Sequence, residues 1–350
     1  MVPATALLLA AAACGGAERG ARTVPRAVAL ATPRSIRTAT ASGGDLAAAD
    51  DSSAGALTET RFRNVNFHVA PGVVLEIRRL RGQMVSKTRG KPVVFDDKQS
   101  FVIRIDSAIV ALDTTSLDHL MNEHVFAYKG APLRHLSFAT NGDELVQRGI
   151  LHKVVDLPFQ LTARVSVTPQ GLLRMHPTAM KISWLNTRGI MHALGLKLSG
   201  LLDLEQAKGV RVDGDDLLLD PEQLLPPPAI TGRVTAVHVE PGRLVQVFGG
   251  NAGTRRAHES PPAALVPPDS LAPNYMYFRH GTLRFGKLSM VRADMQIVDL
   301  DPSDPFDFSI DRYNEQIVAG YSKNRSNMGI EVFMPDLWRI DQRTARPAHP

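Results

Sequence analysis

The sequence predicts an α+β protein built on long antiparallel strands, with a β-rich extension toward its C-terminal side. Three stretches carry that expectation. From Leu157 onward one register holds Leu157, Phe159, Leu161, Ala163, Val165 and Val167. The other holds Pro158, Gln160, Thr162, Arg164, Ser166 and Thr168, a strict two-residue period. In TRGIMHALGLKLSGLLDLEQAKG, Ile190, Leu194, Leu198, Leu201 and Leu202 fall at helical spacing, and the segment is apolar on more than one side. Further on, Val291, Ala293, Met295 and Ile297 alternate with Arg292, Asp294 and Gln296. The strand beginning at Leu157 would span roughly 35 Å at ~3.3 Å per residue, so one whole face needs cover from a helix, a second sheet or a lipid.

The elements follow in order. Residues 1–14 read as a signal segment: in LLLAAAACGG, Cys14 follows an apolar run and precedes glycine, which resembles the lipobox of bacterial lipoproteins. That pattern predicts export to the cell envelope or periplasm and lipid anchoring through Cys14. An alanine-rich start without a signal is the competing reading, since Ala11 stands where leucine is usual and no Lys or Arg precedes the run. Residues 15–56, rich in Ala, Thr, Ser, Gly and Arg and without periodicity, read as a disordered tether. Residues 57–250 form the main α+β region. Its first strand pair is GVVLEIRRLRGQMVSK with QSFVIRIDSAIVAL. DTTSLDHLMNEHVFAY then reads as a helix capped by Thr115 or Ser116, with Leu117, Leu120, Met121 and Val125 on one side. Two strands meet across Asn141-Gly142, and Thr168-Pro169-Gln170-Gly171 reads as a type II turn. Residues 251–273 are a Pro-rich linker, 274–340 the β-rich extension and 341–350 a tail. At about 65 residues the extension is a meagre core by itself, so it is expected to dock on the main sheet.

The formal charge is +5, with 40 basic against 35 acidic residues. Arg78, Arg79, Arg81, Lys87, Arg89 and Lys91 crowd into an acid-free run without an aromatic ring. That composition argues against nucleic acid, which is usually read with stacking aromatics, and for anionic membrane headgroups; a solvated basic hairpin fits equally well. The single cysteine allows no disulfide within the chain. No run reaches the ~18 apolar residues of a spanning helix.

The segments LPFQLTARVSVTPQGLLRM and GVRVDGDDLLLDPEQLLPPPAITGRVTAVHVEPGRLVQVFG resemble, in order and spacing, the LmeA-like phospholipid-binding family over roughly residues 101–250. The resemblance implies a tubular lipid-binding (TULIP-like) fold, in which a strongly curved antiparallel sheet wraps a long apolar helix and the groove between them accepts acyl chains. It implies a non-enzymatic phospholipid-binding protein of lipid transport or envelope maintenance. The groove residues would be Phe159, Leu161, Val165, Val167, Leu194, Leu198, Leu201 and Leu202, with Arg78, Arg79 and Arg81 at the headgroup. Without the resemblance, alternation favours a packed core, because half-buried strands usually face packed side chains, and a structural envelope protein with a filled core that binds a protein partner is the competing function.

No Gly-x-Ser-x-Gly elbow, phosphate loop or dinucleotide fingerprint is present, so no enzyme and no cofactor is expected. DLDPSDPFDFSID places Asp299, Asp301, Asp304, Asp307 and Asp311 close together, a density that suits a hard cation or a metal-dependent hydrolase. The EF-hand order is missing, and the two Asp-Pro steps favour turns over metal. His119 and His124 stand five apart and share no helix face.

Overall fold

Antiparallel pairing between strands adjacent in sequence accounts for most of the architecture. The computed structural model describes residues 57–152, 155–182, 185–186, 204, 206–249 and 266–345. The strands are β1 (Thr58–Ala70), β2 (Val73–Ser86), β3 (Val93–Val94), β4 (Phe101–Asp113), β5 (Leu133–Asn141), β6 (Glu144–His152), β7 (Asp156–Val167), β8 (Leu173–Ile182) and β9 (Leu185–Asn186). There follow β10 (Val210–Asp213), β11 (Asp216–Leu219), β12 (Ala229–Thr231), β13 (Val234–Glu240), β14 (Arg243–Phe248), β15 (Tyr275–Phe285), β16 (Leu288–Asp299), β17 (Phe306–Ser309), β18 (Tyr321–Asn324) and β19 (Ile330–Met334). A twelve-stranded sheet runs β13-β14-β4-β2-β1-β15-β16-β19-β18, with β12, β17 and β3 added in parallel on β4, β1 and β15. A seven-stranded sheet runs β10-β11-β8-β7-β6-β5, with β9 on β8.

In the larger sheet, β1 and β2 keep their apolar side chains inward, but the alternation breaks midway. The inward set of β1 passes from Thr58, Thr60 and Phe62 to Val65, Phe67 and Val69 at Asn64, whose φ is +53°. Across from it, β2 passes from Val73, Leu75 and Ile77 to Leu80 and Met84. The two irregular points face each other, so pairing survives while Arg78 and Arg79 both end up outside. The β1–β2 turn needs Gly72: its φ is +71°, and a Cβ there would stand 2.5 Å from the His119 ring.

One continuous hydrophobic core takes side chains from both sheets, including Phe62, Leu75 and Ile105 from the larger and Phe159, Leu161, Ala163 and Met175 from the smaller. The apolar face of β7 is therefore covered by a second sheet. Helix Thr114–His119, continued by a π turn over Leu120–Val125, closes one side of the core. Its N-cap is Asp113, whose carboxylate accepts the Ser116 amide at 2.6 Å; the expected caps Thr115 and Ser116 lie inside the helix. Asn122 accepts the Leu136 amide at 2.8 Å and donates to the Leu136 carbonyl at 2.7 Å, while Asp118 accepts the Phe138 amide at 2.6 Å. These bonds satisfy part of the open edge of β5. Ser116 accepts the Val74 amide at 3.2 Å, so the same helix holds both sheets.

The α+β, TULIP-like expectation is corrected here. Strands account for 58% and helices for 12% of the structure, which makes the class mostly β. Among the described residues there are four short helices, the longest being Leu337–Ala345, and none is a long apolar helix for a sheet to wrap. The apolar strand faces cover each other, so they need no such helix. Of the segment expected to supply it, only 204 and 206–209 are described, and residues 206–209 form turns. The Thr168–Gly171 turn also differs: the Gly171 amide donates to the Thr168 carbonyl at 2.9 Å, and the positive φ, +88°, belongs to Gly171 rather than Gln170. That is the glycine position of a type I turn, not of type II.

The C-terminal strands are integrated into the larger sheet. β15 pairs with β1 from Glu59↔Arg279 to Arg63↔Tyr275, and β17 pairs with the other half of β1. Around this junction Phe62, Phe67, Phe95, Phe101, Phe278, Phe285, Phe306, Phe308 and Tyr313 form a network of ring contacts, with centroids 4.3–6.4 Å apart. No helix in the described structure is long and apolar enough to cross a membrane.

Candidate functional site

Away from the rings, the space between the sheets is lined by aliphatic side chains. β2 contributes Leu75, Ile77 and Leu80, and β4 contributes Ile105, Val110 and Leu112. The first helix and its π turn add Leu117, Leu120 and Met121, and the second sheet adds Leu173 and Leu219. Together they leave an apolar cavity of about 50 Å³. Its floor comes from two inward runs on each strand, Leu75 and Ile77 then Leu80 on β2, and Ile105 then Val110 and Leu112 on β4, because the alternation shifts once along each. Helix Pro221–Leu224, capped by Asp220, closes over it, and the Glu222 side chain accepts the Gly232 amide at 2.8 Å.

Two polar residues border this lining, Glu222, which is engaged by the Gly232 amide, and Gln246. On β14 the inward positions are Leu244, Gln246 and Phe248, and all three border the cavity. Gln246 is 7% exposed and its Oε1 has no hydrogen-bond partner. A buried amide oxygen of this kind is costly in an apolar wall and can accept a bond from a ligand hydroxyl, amide or protonated carboxyl. Sequence reasoning missed Gln246, although the alternation in RLVQVF carries the signal: a polar residue stands on an apolar register.

The expected groove residues are placed differently. Phe159 and Leu161 are buried in the shared core, Val165 and Val167 are half-buried against it, and none of the four borders the cavity. Leu194, Leu198, Leu201 and Leu202 lie outside the described residues, as does Cys14. A larger depression of about 600 Å³, around Gln206–Val212, is open to solvent and mixed polar and apolar.

The three arginines assigned to a headgroup lie on the outer face of β2, opposite the face that lines the cavity. Arg78 makes a two-pronged ion pair with Glu240, which raises the guanidinium above its ordinary value and lowers the carboxylate. Arg79 stands opposite Arg63, and Arg81 opposite Arg61. Like charges directly across a strand pair repel.

The acidic loop lies at the far end of the larger sheet. Asp299 accepts the Asp301 amide at 2.8 Å, and Asp301 accepts Ser303 N and Oγ at 3.3 and 2.6 Å, the turn chemistry expected of these residues. Asp307 binds His68 at 2.5 Å and Asp311 binds Lys98 at 2.8 Å, so neither joins the cluster. Asp336, distant in sequence, does. Burial pushes Asp299 up to about 6 and Asp336 up to about 7, with neighbouring carboxylates adding to both. His119 pairs with Glu123 at 2.6 Å, and burial lowers His124; the two do not form a ligand set. Comparison with known proteins finds no matching family model, no similar curated protein and no similar solved structure.

Proposed function

We propose that this protein is a non-enzymatic lipid-binding protein of the cell envelope, exported and anchored through Cys14, that shelters the end of a phospholipid acyl chain between its two sheets. The observation that carries the reading is the largely aliphatic lining of the cavity, which suits an acyl chain. A predominantly apolar lining with a few polar groups is the usual form of a small-ligand site. The cavity of about 50 Å³ is small beside the ~150 Å³ apolar cavity that takes benzene. A chain therefore enters by displacing side-chain rotamers of the lining, for which the unbranched Met121 is suited. The arginine face of β1 and β2 would lie against anionic headgroups of the membrane rather than hold the headgroup of the bound lipid.

The small volume favours a second reading, a structural envelope protein with a filled core that binds a partner along an exposed edge such as β18. Native mass spectrometry of the full chain purified from cells separates the two. Co-purifying phospholipid, lost when Val110→Phe fills the cavity, supports the first. A lipid-free mass that stays unchanged after incubation with phosphatidylglycerol vesicles overturns it.

A further inference from the structure

One oxygen from each of Asp301, Asp304 and Asp336 lies within 4.8 Å of the others. Three oxygens no more than 4.8 Å apart leave a point at most about 2.8 Å from each, near the calcium–oxygen range of 2.3–2.6 Å, so a single ion can sit among all three. Adjacent aspartates alone carry little meaning, because Asp299 and Asp301 also serve as turn acceptors. Asp336 differs from them. It is 0% exposed, its Oδ1 accepts the Asp307 amide at 2.8 Å, and its Oδ2 has no hydrogen-bond partner. Arg339 shows where that oxygen faces: its Nη2 binds Asp301 Oδ2, and its Nε stands 4.0 Å from Asp336 Oδ2. Both oxygens therefore border the same space.

The charges there do not balance. Asp299, Asp301, Asp304 and Asp336 supply four carboxylates, against which Arg339 is the one cation making ion pairs to the group among the described residues. Asp307, next to them, is engaged by His68. A buried carboxylate oxygen that has lost water and gained no donor calls for a positive charge of short reach. We propose that Asp301, Asp304 and Asp336 hold a divalent cation, calcium by preference, where the acidic loop meets the C-terminal helix. An all-oxygen set selects a hard cation, and an exposed loop ligand such as Asp304 suits the variable shell of calcium better than the strict octahedron of magnesium. Water completes the coordination. The ion ties the loop that follows β16 to helix Leu337–Ala345, two elements that otherwise meet here through Arg339.

The test uses the full chain stripped with a chelator and then titrated with calcium chloride, read by calorimetry and thermal unfolding. Binding heat and a Tm rise of several degrees are expected. Neither appearing at about 10 mM, above the ~10⁻³ M of the weakest calcium modules, overturns the proposal. Asp304→Asn, at an exposed position, and Asp336→Asn, which keeps the acceptor for the Asp307 amide, should each weaken calcium at least tenfold. Asp311→Asn, paired with Lys98 outside the group, should leave affinity unchanged. If Asp336→Asn fails to fold, Asp304→Asn still decides, and unchanged affinity in Asp304→Asn overturns the assignment. Terbium locates the ion: the chain has two tryptophans, and Trp338 lies two residues from Asp336. Terbium emission excited through tryptophan should vanish in Trp338→Phe while calcium heat persists, and emission surviving that change places the ion elsewhere.

Discussion

The two halves of the interior are built from different materials. Around β1, β15 and β17, nine rings interlock edge to face and face to face, and most of the largest fully buried side chains, Tyr313, Phe62, Phe67 and Phe278 among them, belong to this half. Around β2, β4, β11 and β14 the walls are leucine, isoleucine, valine and methionine, and there the cavity and the unpartnered Gln246 lie. Rings fill space in few orientations and specify one arrangement, whereas branched and unbranched aliphatic chains repack at low cost. A rigid half beside a deformable half is a design in which a ligand can open one side without loosening the other.

The largest expected effect tests the rigid half. Phe278 is 0% exposed and meets Phe62 and Phe95 edge-on at 5.7 and 5.5 Å. Phe278→Ala should cost about 3–5 kcal/mol in denaturant unfolding, and a loss below that of an aliphatic truncation at Leu75 would erase the contrast. Next comes the seam. Asn122→Ala leaves the Leu136 amide and carbonyl without their partners, an expected loss of about 2–3 kcal/mol, accompanied by faster hydrogen exchange at Leu136 if the helix does seal the β5 edge. The smallest and sharpest comparison adds bulk to each half. Phe95 touches four rings, so Phe95→Trp should destabilise by about 1–3 kcal/mol, while Val110→Ile beside the cavity should change stability by less than about 1 kcal/mol in either direction. Equal costs in a thermal or urea series would mean that the two halves are packed alike.

Local periodicity reads part of this plainly. β7, β16, the β5–β6 hairpin at Asn141-Gly142 and the apolar side of the first helix stand in the chain as their spacing suggests. A period of two says that a face must be covered but not by what, which is why a helix was expected where a second sheet serves. β1 was missed because its alternation breaks at Asn64, and only pairing with β2 makes the break tolerable. The segregation of rings escapes composition, since 13 phenylalanines averaged over the chain look sparse while eight of them meet in one place. Of the acidic group, Asp301 and Asp304 are visible in DLDPSDPFDFSID, but Asp336 sits in MPDLWRI and reaches them only through the fold.

The placing of β1 between β2 and β15 also sets a clock. The Asn64–Asn274 hydrogen bond at this junction joins residues 210 apart. At a synthesis rate of roughly 5–20 residues per second, β1 waits on the order of 10–40 s before its second neighbour exists. During that interval one long edge of the strand, with Phe62 and Phe67 beside it, has no partner from its own chain. Such non-local closure makes for slow folding, and a chain stopped before β15 would present an open strand edge to every other copy.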